Sequence, residues 1–150
     1  MKRPGCPLCD EPGGALIFAG PLFRVVRADE PGFPAFYRLV WNDHVAEFSD
    51  LAPVDRRLCI DAVLQVEETL RRVLQPTKIN LASLGNAVPH LHWHVIARFD
   101  WDSHFPGSPW APALREPAPL QMERVEHLRR EVEDSLRTSL AAGPANCTPS

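Results

Sequence analysis

Residues 89–98 read PHLHWHVIAR, so His90, His92 and His94 occupy every second position and account for half of the chain's six histidines. In an extended segment such residues share one face at roughly 7 Å spacing, while Leu91, Trp93 and Val95 share the other. The apolar face should turn inward, leaving a row of three imidazoles facing a cleft or solvent. A solvent-facing strand would be served as well by threonine, lysine or glutamate; histidine adds ligation, nucleophilicity and proton transfer near neutral pH. Two chemistries fit. Two or three imidazoles can hold a metal ion that activates water. Alternatively, one neutral imidazole attacks phosphorus while its neighbours donate hydrogen bonds to phosphate oxygens.

A second pair of reactive groups lies in CPLC, residues 6–9. The two-residue separation of Cys6 and Cys9 suits a zinc knuckle or a redox motif. The redox reading needs a helix after the first cysteine, which Pro12, Gly13 and Gly14 disfavour. Cys59 falls in an expected helix and Cys147 in the tail, without evident partners.

The elements that must position these groups are legible in the pattern. The runs ALIFAG and LFRVVRA around a Gly-Pro turn predict a hairpin, and FYRLVW a third strand. From Pro53 to Leu74, Cys59, Ala62, Val63, Val66, Leu70, Val73 and Leu74 recur at steps of three and four, giving an amphipathic helix. Pro53 and Asp55 mark its start and Pro76 its end. TKINLASLG predicts a strand running into a turn at Gly85 and Asn86. The block 100–119, with five prolines and two tryptophans, reads as an irregular loop. Met122, Val125, Leu128, Val132 and Leu136 then stripe a C-terminal helix, with Glu126–Arg130 and Glu133–Arg137 as spaced ion pairs. Residues 1–140 are expected to form a single domain and 141–150 a disordered tail. The fold class is α+β, with a mainly antiparallel sheet of about five strands, a long central helix and a C-terminal helix.

Composition excludes several functions. With 150 residues, 45% hydrophobic and 23% charged, the chain reads as a soluble globular protein. Its net charge of −3 and lack of a lysine-rich block argue against nucleic acid as a partner. No apolar run approaches the roughly 20 residues of a membrane span. The start, MKRPGCPLCDEPGG, has no apolar core and so is not a secretory signal, which points to the cytoplasm and reduced cysteines.

The segment HLHWHVI resembles the His-φ-His-φ-His-φ-φ signature, φ being apolar, of the histidine-triad (HIT) superfamily of nucleotide hydrolases and transferases. YRLVWNDHVAEFSDL is similar to that family's strand-then-histidine segment before the long helix, and INLASLGNAVPH to its asparagine-containing strand and glycine turn. CPLC is similar to the zinc-bearing branches, and the likeness spans about residues 5–115. The resemblance implies a HIT-like fold in which His92 attacks the α-phosphate of an adenylyl substrate (AMP-X or a dinucleoside polyphosphate), forming a nucleotidyl-histidine that water cleaves. His94 would contact the phosphate, Asn86 would border it, and Asn80 would lie in the active-site region. A structural zinc ion would be held by Cys6, Cys9, His44 and His90, no organic cofactor would be needed, and the protein would be a homodimer through the long helix and an adjoining strand. Two departures stand out. Ala87 replaces a serine common before the triad, leaving nucleotide binding without turnover as an alternative. The ribose-binding acid of some members has no clean match, Asp29 being the nearest candidate. Of the aromatics after the triad, Trp101, Phe105 and Trp110 are expected to pin the loop, with closure of the nucleotide site by one of them as the alternative. Arg98 is expected to meet a phosphate or solvate the strand end, and His104 and His127 to lie on the surface.

Overall fold

Proline at position 7 supplies the φ of a first helical turn, and in the computed structural model, which describes residues 1–143, the chain opens with a one-turn helix α1 (Pro7–Asp10). Helix formation directly after Cys6 departs from the sequence expectation. The Asp10 carboxylate closes the turn by accepting the Gly5 N–H at 3.0 Å, and the disfavouring Pro12, Gly13 and Gly14 fall beyond its end.

The strands β1 (Ala15–Ala19), β2 (Phe23–Arg27), β3 (Phe36–Trp41), β4 (Lys78–Ala82) and β5 (His92–Arg98) form one sheet in the order β1-β2-β3-β5-β4. Every neighbouring pair is antiparallel. The expected hairpin is β1–β2. Strand β5 inserts between β3 and β4, which is possible because helix α2 (Pro53–Leu74) carries the chain across the sheet before β4.

Helix α2 forms over the expected range because its apolar stripe has somewhere to go. Cys59, Ala62, Val63, Val66 and Leu70 are buried against Tyr37, Leu39, Val95 and Ala97 on one sheet face. Burying each large aliphatic side chain contributes about 1.5–3 kcal/mol. The helix stops where Gln75 adopts a left-handed φ of 48° ahead of Pro76. Helix α3 (Pro119–Ala141) packs Val125, Val132, Leu136 and Leu140 into the same core. Its ion pairs differ in part from the expected spacing: Glu133 does meet Arg137, at 3.7 Å, but Glu126 turns to Arg129 rather than Arg130. Glu133 also pairs with Arg27 of β2 at 3.0 Å, tying α3 to the sheet. The helix reaches one residue into the expected tail; residues 144–150, Cys147 among them, lie outside the described residues.

The opposite sheet face carries His92 and His94, and two clusters cover part of it. Cys6, Leu8 and Cys9 pack on Val26 and Val40, while Phe33 and Ala28 pack on Phe36 and Ile96. His92, His94 and Arg38 lie on this face between the two clusters.

Candidate active site and metal centre

Four donor atoms converge at the N-terminal knuckle. Cys6 caps α1 and Cys9 lies within it, His44 follows β3, and His90 immediately precedes the short approach to β5. Their ligand atoms lie within 4.8 Å of one another. His90 Nδ1 is 3.4 Å from both Sγ atoms, and His44 Nδ1 is 3.5 Å from Cys9 Sγ. Ligands held tetrahedrally at 2.0–2.3 Å from one ion would lie roughly 3.3–3.8 Å apart, so the spacing has the right scale. Hydrogen bonding points the same way. His90 Nε2 donates to the Trp41 carbonyl at 2.7 Å, which places the proton there and leaves an Nδ1 lone pair facing two sulfurs. One lone pair can accept from a single thiol, whereas a cation at the centre satisfies all four donors. The residues therefore fit a four-coordinate metal ion.

Arg24, which the sequence reading did not single out, braces this knuckle. Its guanidinium donates to the carbonyls of Leu8 at 2.6 Å, Pro12 at 2.9 Å and Glu11 at 3.2 Å. An alternating position on β2 gave no hint that those carbonyls would fold over it.

The expected row of three imidazoles is not a row. His90 is turned to the cysteines and only 1% exposed, because regular strand begins at His92 and the knuckle covers the preceding residues. The three rings thus do not converge on a shared metal position; among the described residues the donor cluster is the one with the cysteines. His92 is half-buried. Its Nδ1 lies 2.6 Å from the His90 carbonyl oxygen, which can only accept, so Nδ1 carries the proton and Nε2 keeps its lone pair. Burial lowers the His92 pKa, against the opposing effect of that hydrogen bond, and favours the neutral ring. His94 is 6% exposed, edge-on to Phe36, His92 and Trp110 at centroid distances of 5.5, 4.9 and 5.3 Å. Burial first, then His92 and the Arg38 cation, push its pKa down to about 4.

Arg38, also unanticipated, is the cross-strand partner of His94 on β3. It is held by Glu30 at 2.8 Å and by the Gly13 carbonyl at 3.2 Å. Asn86 and Ala87 are exposed in the turn after Gly85, whose positive φ of 85° glycine accommodates. Asn80 pairs with Ile96 on the triad face, and its Oδ1 accepts from Arg98 Nη1 at 2.7 Å.

Arg98 neither faces a phosphate nor solvates the strand end. It is 2% exposed, between Phe33 and Phe105, donating to Asp102 at 2.7 and 3.0 Å and to the Gly107 carbonyl at 2.9 Å. The sequence showed an arginine at a strand end; only the returning loop made that end an interior. His104 is likewise half-buried, against Phe33 at 4.9 Å, whereas His127 is exposed as expected. Trp101 stacks on Phe99 at 4.6 Å and Phe105 lies against Arg98, so both pin the loop. Trp110 does not pin: it is 52% exposed beside His94. Asp29 is exposed and paired with Arg27 at 2.7 Å.

A five-stranded antiparallel sheet crossed by one long helix, with two histidines of a His-x-His-x-His run on its face and the third in a cysteine cluster, defines a histidine-triad protein. Residues 11–101 match the model of the HIT domain family, and the chain belongs to that family. It is similar to the crystal structure of a histidine triad protein from Bradyrhizobium japonicum, at 27% identity and TM-score 0.64 over 81% of this chain and 92% of that one. A histidine triad protein from Sinorhizobium meliloti gives 27% identity and TM-score 0.66, covering 83% and 88%. A zinc-bound histidine triad family protein from Mycobacterium smegmatis shares the fold at 18% identity and TM-score 0.60, covering 92% and 96%. No curated protein matches the sequence.

Proposed function

We propose that residues 1–140 act as a single HIT domain that hydrolyses or transfers the nucleotidyl group of an adenylyl substrate, AMP-X or a dinucleoside polyphosphate, through His92. The observation that carries this reading is the Nδ1 proton bound to the His90 carbonyl, which leaves Nε2 as an unprotonated nucleophile on a half-buried ring. The Nε2 lone pair forms a bond to the α-phosphorus, and the bond to the leaving group breaks with its electron pair going to the leaving atom, which takes a proton from solvent. Water then attacks phosphorus and gives up a proton to solvent, the P–N bond breaks, and its electron pair returns to Nε2. His94, neutral and carrying one N–H, contacts the phosphate, while Asn86 borders it and Asn80 belongs to the surrounding site. Positioning and aimed donors provide most of the stabilisation.

Rapid acid quench followed by intact mass tests this reading. The parent should carry an added nucleotidyl mass, and His92→Ala should carry none and release no nucleotide while keeping its circular dichroism. Equal turnover by that variant ends the proposal. The exposed Ala87, which offers the turn no hydroxyl, favours one alternative, a nucleotide-binding module. Tight AMP binding without turnover of any nucleotide ester or amidate would select it.

The ion assigned to Cys6, Cys9, His44 and His90 is zinc, the ordinary choice of a closed two-sulfur, two-imidazole set, and its role is structural because no position is left for water. The zinc-bound relative from M. smegmatis supports that choice. Elemental analysis of the purified protein should find about one equivalent of zinc. Exposed Leu64 of α2 and Leu81 of edge strand β4 support a homodimer through these elements. No described helix is long and apolar enough to cross a membrane. A cytoplasmic location would keep Cys6 and Cys9 reduced for the metal, and neither they nor Cys59 is in a disulfide. The partner is an adenine nucleotide rather than nucleic acid or membrane.

A further inference from the structure

Trp110 is a large aromatic side chain left more than half in water, in the loop between β5 and α3. That loop is not slack. Arg98 and Asp102 fix its first turn, and Arg98 also holds the Gly107 carbonyl. Arg115 fastens its return by donating to the carbonyls of Asp102 at 2.8 Å and Phe105 at 2.7 Å. The Leu114 N–H donates to the Ser103 carbonyl at 2.7 Å, and the Trp110 N–H to Ser108 Oγ at 3.3 Å. Even Gly107 is tightly seated, since a Cβ there would meet the His104 carbonyl oxygen at 2.9 Å. A cross-braced loop thus holds the indole at 5.3 Å and 70° to the His94 ring, on the triad face of the sheet. Single exposed apolar residues are ordinary on protein surfaces. An indole beside a triad ring, on a loop anchored by a buried ion pair, is a different case, because the bracing fixes the loop without covering the indole.

We propose that Trp110 is a specificity residue, its indole stacking on a planar aromatic group of the substrate beside the attacked phosphate. The proposal rests on the reading of His92 and His94 as the phosphate site. The aromatic group is either the nucleobase or an aromatic leaving group; both present a π-face close to a phosphate. Beneath it the His94 ring is backed by Phe36, edge-on at 5.5 Å, and Phe36 by Phe33 at 6.1 Å; both phenylalanines are buried, so Trp110 is the exposed aromatic of this group.

Calorimetric binding to the full chain tests this with four probes: AMP against ribose 5-phosphate, and phenyl phosphate against ethyl phosphate. Trp110→Ala should weaken at least one aromatic probe by roughly fivefold or more, the low end of what base–aromatic stacking provides. Its non-aromatic counterpart should be unchanged, and Trp110→Phe should restore most of the loss. A selective loss for AMP assigns the nucleobase, and one for phenyl phosphate assigns the leaving group. Equal weakening within both pairs, no change in any probe, or failure of both aromatic probes to bind the parent overturns the proposal. Because the readout is equilibrium binding, absence of turnover would sink the His92 chemistry while leaving this result standing.

Discussion

Replacing Asp102 by asparagine should be far more costly than its near-identical volume suggests. The carboxylate is 1% exposed and accepts five N–H groups. Oδ2 takes Arg98 Nε at 2.7 Å and Phe99 N at 3.2 Å; Oδ1 takes Phe105 N at 2.7 Å, His104 N at 2.9 Å and Arg98 Nη2 at 3.0 Å. All five are donors, so an amide NH2 in either orientation opposes donor to donor, and the Arg98 guanidinium loses its counter-charge in the interior. Breaking one side of a buried pair costs about 3–5 kcal/mol, a large part of the roughly 5–15 kcal/mol stability of a domain. Urea unfolding at neutral pH measures it. Acid provides a second, independent check. Burial alone would raise the Asp102 carboxyl, but the Arg98 hydrogen bonds and the N–H groups of His104 and Phe99 outweigh it and hold the group below its ordinary range. A depressed carboxylate contributes fully above its unfolded pKa of about 3.9, and the contribution is lost as pH falls through the lower folded value. The gap between parent and Asp102→Asn should therefore narrow on acidification below about pH 4. A variant within about 1 kcal/mol of the parent at pH 7, or a gap that stays constant into acid, would refute the reasoning.

Leu70→Ala, at a fully buried position of α2 facing the sheet, should lower stability by about 2–5 kcal/mol in the same urea assay. The Cys59 thiol, pushed up to about 12 by burial, should resist alkylation in the native protein at pH 8, as read by peptide mass mapping; ready labelling there would contradict its packing. Cys9→Ser should lower zinc content and melting temperature together, whereas a stable, zinc-loaded serine variant would remove Cys9 from the ligand set.

The sequence revealed most where a residue's role depends on local period. Helix α2 was readable because its stripe repeats at steps of three and four over its whole length, and β5 because apolar and histidine positions alternate. Alternation misled at His90, since the period says which side a residue takes and nothing about what is laid over that side. Cys6 and Cys9 lie more than eighty residues away and cover it only through tertiary folding. The same applies to Arg98 and Trp110. Their fates were exchanged relative to expectation, the charge buried and the aromatic left out, because the loop 99–118 has no repeating pattern and its shape is set by hydrogen bonds to Asp102. Arg24 and Arg38 escaped notice for a related reason: each binds carbonyls of segments that arrive from elsewhere in the chain.

His90 links the two halves of the site through different atoms of one residue. Its ring is held at Nε2 by the Trp41 carbonyl and at Nδ1 by the cysteine cluster, so the residue has little freedom to rotate or shift. Its main-chain oxygen, fixed by that clamp, is the acceptor that keeps the proton on His92 Nδ1. On the proposed reading, if the acceptor moved, His92 could exchange tautomers and point a protonated nitrogen at the phosphate, which would end its nucleophilicity while leaving the ring in place. A metal bound for structural reasons would thus govern the chemistry through a peptide carbonyl. Gentle chelation should accordingly lower turnover more steeply than it lowers AMP affinity, since binding depends on where His92 sits and reaction depends on which of its nitrogens is bare.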